Sequence, residues 1–166
     1  MDLFDAIAQR ASVRDLKPVD LPDADLERIL EAGRRAPSGR NRQPIEFIAV
    51  KDRDTIQQLA KAQKCIADVG LVICVAADPG KSVYWLEDAS AAATSMLLAI
   101  AALGYGSVWI EGTLLRVEQD CKRLLGIPEN MRLIVALPVG APTKPPKQAD
   151  KRPLSDMVHW ERFAAK

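Results

Sequence analysis

Arg10, Ser12 and Arg14 stand two residues apart in the stretch RASVR. In an extended segment that spacing puts all three side chains on one side of the backbone. Two guanidinium forks flanking a hydroxyl suit a phosphate, because Arg offers bidentate, charge-assisted hydrogen bonds that a lone Lys cannot. A second candidate is PSGRNRQP at residues 37–44. There Ser38 and the N–H groups of the Gly39 turn can donate to an acceptor-rich ring or a phosphate, and Asn41 and Gln43 each offer a donor and an acceptor. Both segments also have plain structural readings. Arginines complement a helix C-terminus, and Pro, Gly and Asn are ordinary turn residues. Taken singly, the residue types leave both readings open.

Other chemistry is poorly provided for. The chain has one His, His159, in no metal-ligand spacing and with no nucleophile elbow elsewhere, which excludes most zinc and serine-hydrolase chemistry. No metal site is expected. Cys65, Cys74 and Cys121 are odd in number, widely spaced and set among Ile, Val and Leu, so they read as buried free thiols and point to a reducing cytoplasm. The 166 residues fit one domain, 1–166, and 48% apolar residues suffice for a core. With 23 Lys+Arg against 22 Asp+Glu the net charge is +1, which argues against nucleic acid or an anionic membrane as partner. At 5% aromatic residues, a base-stacking platform is equally improbable.

The elements that must position these residues follow from periodicity. Residues 3–9 carry Leu3, Phe4 and Ile7 at helical spacing. Residues 23–35 form a firmer helix, with Leu26, Ile29, Leu30 and Gly33 on one stripe, acids early and Arg34 and Arg35 late. Strands are expected at 45–50, 71–77, 106–110 and 131–139, and further helices at 55–62, 84–103 and 116–125. The run LVICVAA reads as a strand buried on both faces. The helix at 84–103 is apolar or small nearly all round and should be buried on all sides. A core helix and a dimer interface account for that equally well. Residues 142–153, rich in Pro and Lys, are too rigid and polar for a packed element. Strands alternate with helices unevenly, with helices leading, so the class is α/β or α+β around a mixed sheet.

In order along the chain, AIAQRASVRDLKP, LERILEAGRRAPSGRNRQPIEFIAV, EDASAAATSMLLAIAALGYGSVWIEG, LLGIPENMRLIVALPVGAP and KRPLSDMVHWERF resemble the nitroreductase family of FMN-dependent oxidoreductases. The resemblance covers nearly the whole chain. It implies an α+β fold, three-layer α/β/α with a mixed, mostly antiparallel sheet flanked by helices, and an NAD(P)H-dependent homodimer that carries FMN and reduces a nitro, quinone or similar small-molecule acceptor by a ping-pong mechanism. Arg10, Ser12 and Arg14 match the FMN-contacting element, with Arg10 toward the phosphate and Arg14 nearer the pyrimidine edge of the ring. Pro37, Ser38, Gly39 and Asn41 match the loop that reaches FMN from the partner subunit. Glu111 and Gly112 match the strand-end segment whose backbone N–H approaches flavin N5. Lys151 and Arg152 match the basic pair that completes the phosphate clamp.

No catalytic side chain is implied, since the flavin carries the chemistry. The chain departs from the family pattern in having little room for a covering excursion within residues 106–125, in Leu16 where an aromatic is frequent, and in Ser95 where Asn is common. These departures leave the substrate side poorly specified. A same-fold flavoenzyme with another reaction, dehydrogenation or dehalogenation, and a non-catalytic FMN carrier or sensor are the alternatives.

Overall fold

The computed structural model describes residues 1–163. Helices α1 (Leu3–Gln9), α2 (Asp23–Arg34), α3 (Arg53–Leu59), α4 (Trp85–Ala102), α5 (Gly112–Leu115) and α6 (Glu118–Leu125) surround strands β1 (Leu16–Lys17), β2 (Ile45–Val50), β3 (Leu71–Ala77), β4 (Gly106–Ser107) and β5 (Arg132–Pro142). The strands run in the order β1-β5-β3-β2, with β4 also paired to β5, and every strand pair is antiparallel. One parallel bridge, Ser12 to Ser107, makes the sheet mixed.

All seven residues of β3 are buried, as expected for a strand covered on both faces. Its side chains alternate between two cores. Val72 and Cys74 join Ile56, Leu59, Leu114 and Cys121 under α3, α5 and α6. Leu71, Ile73 and Val75 join Ile29, Met96 and Ile100 under α2 and α4. The period of two thus generates the three layers directly. Gly33 lets α2 and α4 approach, since a Cβ there would lie 2.9 Å from both Met96 and Phe47.

Four expectations need correction. Helix α3 begins at Arg53, earlier than expected, because the Asp52 carboxylate accepts from Thr55 N at 2.8 Å and caps it. The helix expected at 116–125 is α6, which starts at Glu118 because Val117, at φ −124°, is not helical, and the short helix α5 before it is not among the expected elements. The strand expected at 106–110 is regular only at β4, with an isolated bridge from Ile110 to Ala136 beyond it. Finally, α4 is not buried on all sides within one chain. Ala89, Ala92, Ala93, Met96 and Ile100 are buried, but Leu86 is 42% exposed and Thr94 and Leu98 lie outside both cores.

Candidate functional site

Helix α1 ends at Gln9, and Arg10 leaves helical geometry at φ −57° and ψ 119°. From there the chain runs extended beside β4, with Val13 N donating to Ser107 O at 2.8 Å. This pairing fixes the alternation expected from sequence: Ala11 is buried, whereas Ser12 and Arg14 are exposed and Arg10 half-buried. Among the described residues, no carboxylate pairs with Arg10 or Arg14. The arginines ending α2 behave differently. Arg34 and Arg35 both bind Glu31 at 2.6 Å, and these bonds hold the Glu31 carboxyl down at about 2. Their charge is neutralised; that of Arg10 and Arg14 is not. Arg14 faces Cys65, whose thiol burial pushes up while the guanidinium pulls it back.

The polar segment after β5 folds back along this edge. Thr143 N donates to Asp15 O at 3.1 Å, and Gln148 Nε2 donates to Arg10 O at 2.9 Å and Ile7 O at 3.2 Å. Lys151 and Arg152 follow closely and are exposed, so chain reach keeps them within about 15 Å of Gln148. Beside Arg10 lies a cleft of about 170 Å³ walled by Leu97, Ile100 and Ala101 of α4 and by Gly106 and Ser107. Ser107 Oγ is buried at its edge with no hydrogen-bond partner among the described residues. A buried hydroxyl left so costs about 1–3 kcal/mol, which a ligand acceptor or donor would relieve.

Glu111 and Gly112 sit where the Ile110–Ala136 bridge gives way to α5, and Trp109 Nε1 donates to Glu111 Oε2 at 2.8 Å. Gly112 is exposed and opens α5, where its N–H has no intrahelical acceptor.

The loop holding Pro37, Ser38, Gly39 and Asn41 is built on the other end of α4. Gly39 N donates to Asp88 Oδ1 at 2.8 Å, Ser82 Oγ donates to Asp88 Oδ2 at 3.0 Å, and Tyr84 N donates to Ser82 Oγ at 3.1 Å. The Tyr84 ring lies so close over Gly39 that a Cβ would collide with it. Arg40, Asn41 and Gln43 all have positive φ, at 52°, 56° and 48°, a left-handed path that holds the loop in one unusual shape. Ser38 Oγ accepts from Gln43 N at 3.1 Å and so braces the loop, while Asn41 is exposed. Asp88, Ser82 and Tyr84 are the residues that sequence reasoning missed. An acid in the first turn of a helix reads as a macrodipole partner, and nothing in its spacing to Gly39 reveals the bond.

One chain therefore does not bring all the expected residues together. Arg10, with Gln148 bonded to it, lies near the C-terminal half of α4, Ser12 and Arg14 line the adjacent edge with residues 143–147, and the 37–41 loop lies near the N-terminus of α4. From Asp88 to Ala101 the helix rises roughly 20 Å. Within one chain the expected residues fall into two groups separated along α4. Among the described residues no group of His, Cys, Asp and Glu is arranged to hold a metal, and no helix is long and apolar enough to cross a membrane.

The three-layer α+β fold and the relatives that share its sequence place the protein among NAD(P)H oxidoreductases. The chain belongs to the nitroreductase family, whose model matches residues 7–71 and 61–141. A protein of Archaeoglobus fulgidus named "Putative NADH dehydrogenase/NAD(P)H nitroreductase" is 37% identical over 95% of this chain and 96% of its own length. The structure of an FMN-dependent nitroreductase from Clostridium difficile superposes with a TM-score of 0.86 at 26% identity, covering 96% of this chain and 99% of that one. At greater distance, iodotyrosine deiodinase 1 of Mus musculus is 25% identical over 95% of this chain and 68% of its own length.

Proposed function

We propose that the protein is an FMN-dependent NAD(P)H oxidoreductase, working as a homodimer on a small nitro, quinone or similar acceptor. The observation that carries this reading is that Arg10 and Arg14 stand at one edge of the sheet with no ion pair among the described residues, while Gln148, a few residues before Lys151 and Arg152, is bonded back to Arg10 from the other end of the chain. An unneutralised cluster of this kind fits a phosphate and an electron-rich ring edge, and the orphaned Ser107 Oγ fits the same polar ligand. When bound, FMN would supply the redox chemistry, taking up reducing equivalents from NAD(P)H and passing them to the acceptor.

The chain's own residues bind and orient. Arg10, Lys151 and Arg152 hold the phosphate. Arg14 keeps positive charge at the pyrimidine edge, where negative charge grows on reduction, and Ser12 hydrogen-bonds between them. Gly112 offers a backbone N–H unobstructed by a side chain. Ser38, Gly39 and Asn41, on the rigid turn after Pro37, complete the site from a second copy, because within one chain they stand at the far end of α4. No side-chain acid or nucleophile is required of Glu111, which orients its strand end through Trp109.

Absorbance spectra of the purified protein under anaerobic conditions test this. A yellow protein bleached by NADH or NADPH is the expected result. A colourless protein that takes up no added FMN sinks the reading. The deiodinase relative favours a second reading, reductive removal of a halogen from an aromatic substrate on the same fold. Bound flavin reduced by neither dinucleotide would point there, whereas turnover with a quinone would speak for the first reading and against a passive flavin carrier.

A further inference from the structure

Beside the Gly39 turn lies a cleft of about 350 Å³, which shares Gly39 with the flavin loop but whose cations and apolar residues the flavin reading does not use. That volume is within the range of small-ligand sites. Arg40, Arg42 and Lys81 supply its charge, and Gly80, Val83 and Tyr84 are among the residues that line it. Val83 is 83% exposed and Tyr84 50% exposed, so an apolar face is left open to solvent between three cations. The cations are not neutralised where they stand. Among the described residues Arg40 has no hydrogen-bond or ion-pair partner, and Arg42 Nη1 donates only to the carbonyl of Lys81, at 3.3 Å. Lys81 Nζ meets one carboxylate, Glu46, at the long distance of 3.9 Å. The cleft is also preformed. The positive φ of Arg40 and the bond from Arg42 fix one wall. Ser82, buried and bonded to Asp88, fixes the other.

Clustered cations around an exposed aromatic ring suit a ligand with a flat heterocycle and more than one phosphate. We propose that this cleft receives the phosphorylated adenosine end of the reducing dinucleotide, and that Arg40, Arg42 and Lys81 make the protein favour NADPH over NADH. The proposal rests on the flavin reading above, in which the neighbouring loop of one copy closes the flavin site of the other. A dinucleotide with its nicotinamide in that site would then extend its adenosine end toward the cleft.

The test is a calorimetric titration of FMN-supplemented protein with adenosine 2′,5′-bisphosphate, repeated on Lys81→Gln and on Arg42→Gln/Lys81→Gln. Lys81 is exposed and bonds only to distant Glu46, so its substitution leaves the fold in place. Affinity should fall about tenfold in the double variant, the scale of one lost charge-assisted hydrogen bond, and by a smaller factor in Lys81→Gln. Inorganic phosphate should compete only at far higher concentration. The apparent KM for NADPH should rise with the same rank order while that for NADH stays level. No binding by the wild-type protein, equal binding by the double variant, or equal competition by phosphate would overturn the proposal. Cleft-dependent binding in a protein whose flavin NADPH fails to reduce would instead uphold the cleft and remove the flavin reading.

Discussion

Single side chains here divide into those whose charge is used up inside the fold and those left open, and the division is what separates site from scaffold. Glu118 is the clearest scaffold case. It is 7% exposed, receives Arg132 at 2.7 and 2.9 Å and Leu133 N at 3.0 Å. Burial pushes its carboxyl up, but the bonds from Arg132 and Leu133 and the charges of Arg132 and Lys122 outweigh that and leave it below the ordinary value. A depressed carboxylate adds stability above its unfolded pKa, about 4.3, and loses it as pH falls through the lower folded value. Urea unfolding of wild type should therefore weaken below about pH 4 with a slope that Glu118→Gln flattens. At neutral pH that variant should lose about 3 kcal/mol, because the carboxylate charge is gone and the remaining amide oxygen cannot serve all three donors from Arg132 and Leu133. Arg10→Ala belongs to the other class: no internal bond breaks, so the melting temperature of the flavin-free protein should hold while FMN affinity drops about tenfold or more. Cys74, pushed up to about 12 by burial and by neighbouring Cys121, should resist alkylation in the folded protein and react only on unfolding. A mass-spectrometric labelling time course would show it. The open cations were legible in the sequence as RASVR, since period-two spacing needs only an extended backbone. The Glu118–Arg132 pair was not, because it joins a helix to a strand 14 residues away and no local pattern encodes it.

At the scale of elements, what the sequence revealed depended on how local the cause was. Helices α1 and α2 and strands β2 and β3 begin and end within a residue of expectation, since hydrophobic period and adjacent caps determine them. Helix α5 was not legible in advance: its four residues are too few to show a hydrophobic period, and it follows directly on the bridge of Ile110 to Ala136, whose bonds of 3.1 and 2.9 Å join residues far apart in sequence. The loop at 37–44 is the functional instance of the same limit. Its turn residues announce a turn, but its shape is imposed by Asp88 reaching from the first turn of α4. Asp88→Ala should therefore release Gly39 N and unseat Ser82 without touching Arg10 or Arg14. The expected outcome is weaker FMN binding by several-fold, with faster hydrogen exchange confined to residues 38–43 and 80–84. Exchange unchanged in that window would show that Tyr84 packing alone holds the loop.

For the molecule as a whole, the surface that one chain leaves open argues for a second copy. Phe4 is 79% exposed on α1, and Trp160 and Phe163 are 81% and 89% exposed in the tail. Large apolar groups in such number are costly in a lone chain and mark a surface to be covered. The outer stripe of α4 carries Ser90, Ala91, Thr94, Ser95 and Leu98, and two of its three hydroxyls are satisfied within the helix, Ser90 Oγ by Leu86 O at 2.8 Å and Ser95 Oγ by Ala91 O at 2.9 Å. That leaves a small, flat, internally bonded face suited to close approach by another helix. Two-fold pairing across it would set the N-terminal loop of each α4 near the C-terminal half of the other, which is the arrangement the two separated groups of residues require. Dimerisation and FMN binding should then be one linked equilibrium. Leu98→Asp, which places a charge on the outer stripe and touches neither core, should give a folded monomer by sedimentation velocity and circular dichroism. That monomer should hold FMN far more weakly than wild type, and excess FMN should pull it back toward dimer by mass action. A folded Leu98→Asp monomer binding FMN as tightly as wild type would mean that one chain completes its own site, and that the 37–41 loop serves only the fold.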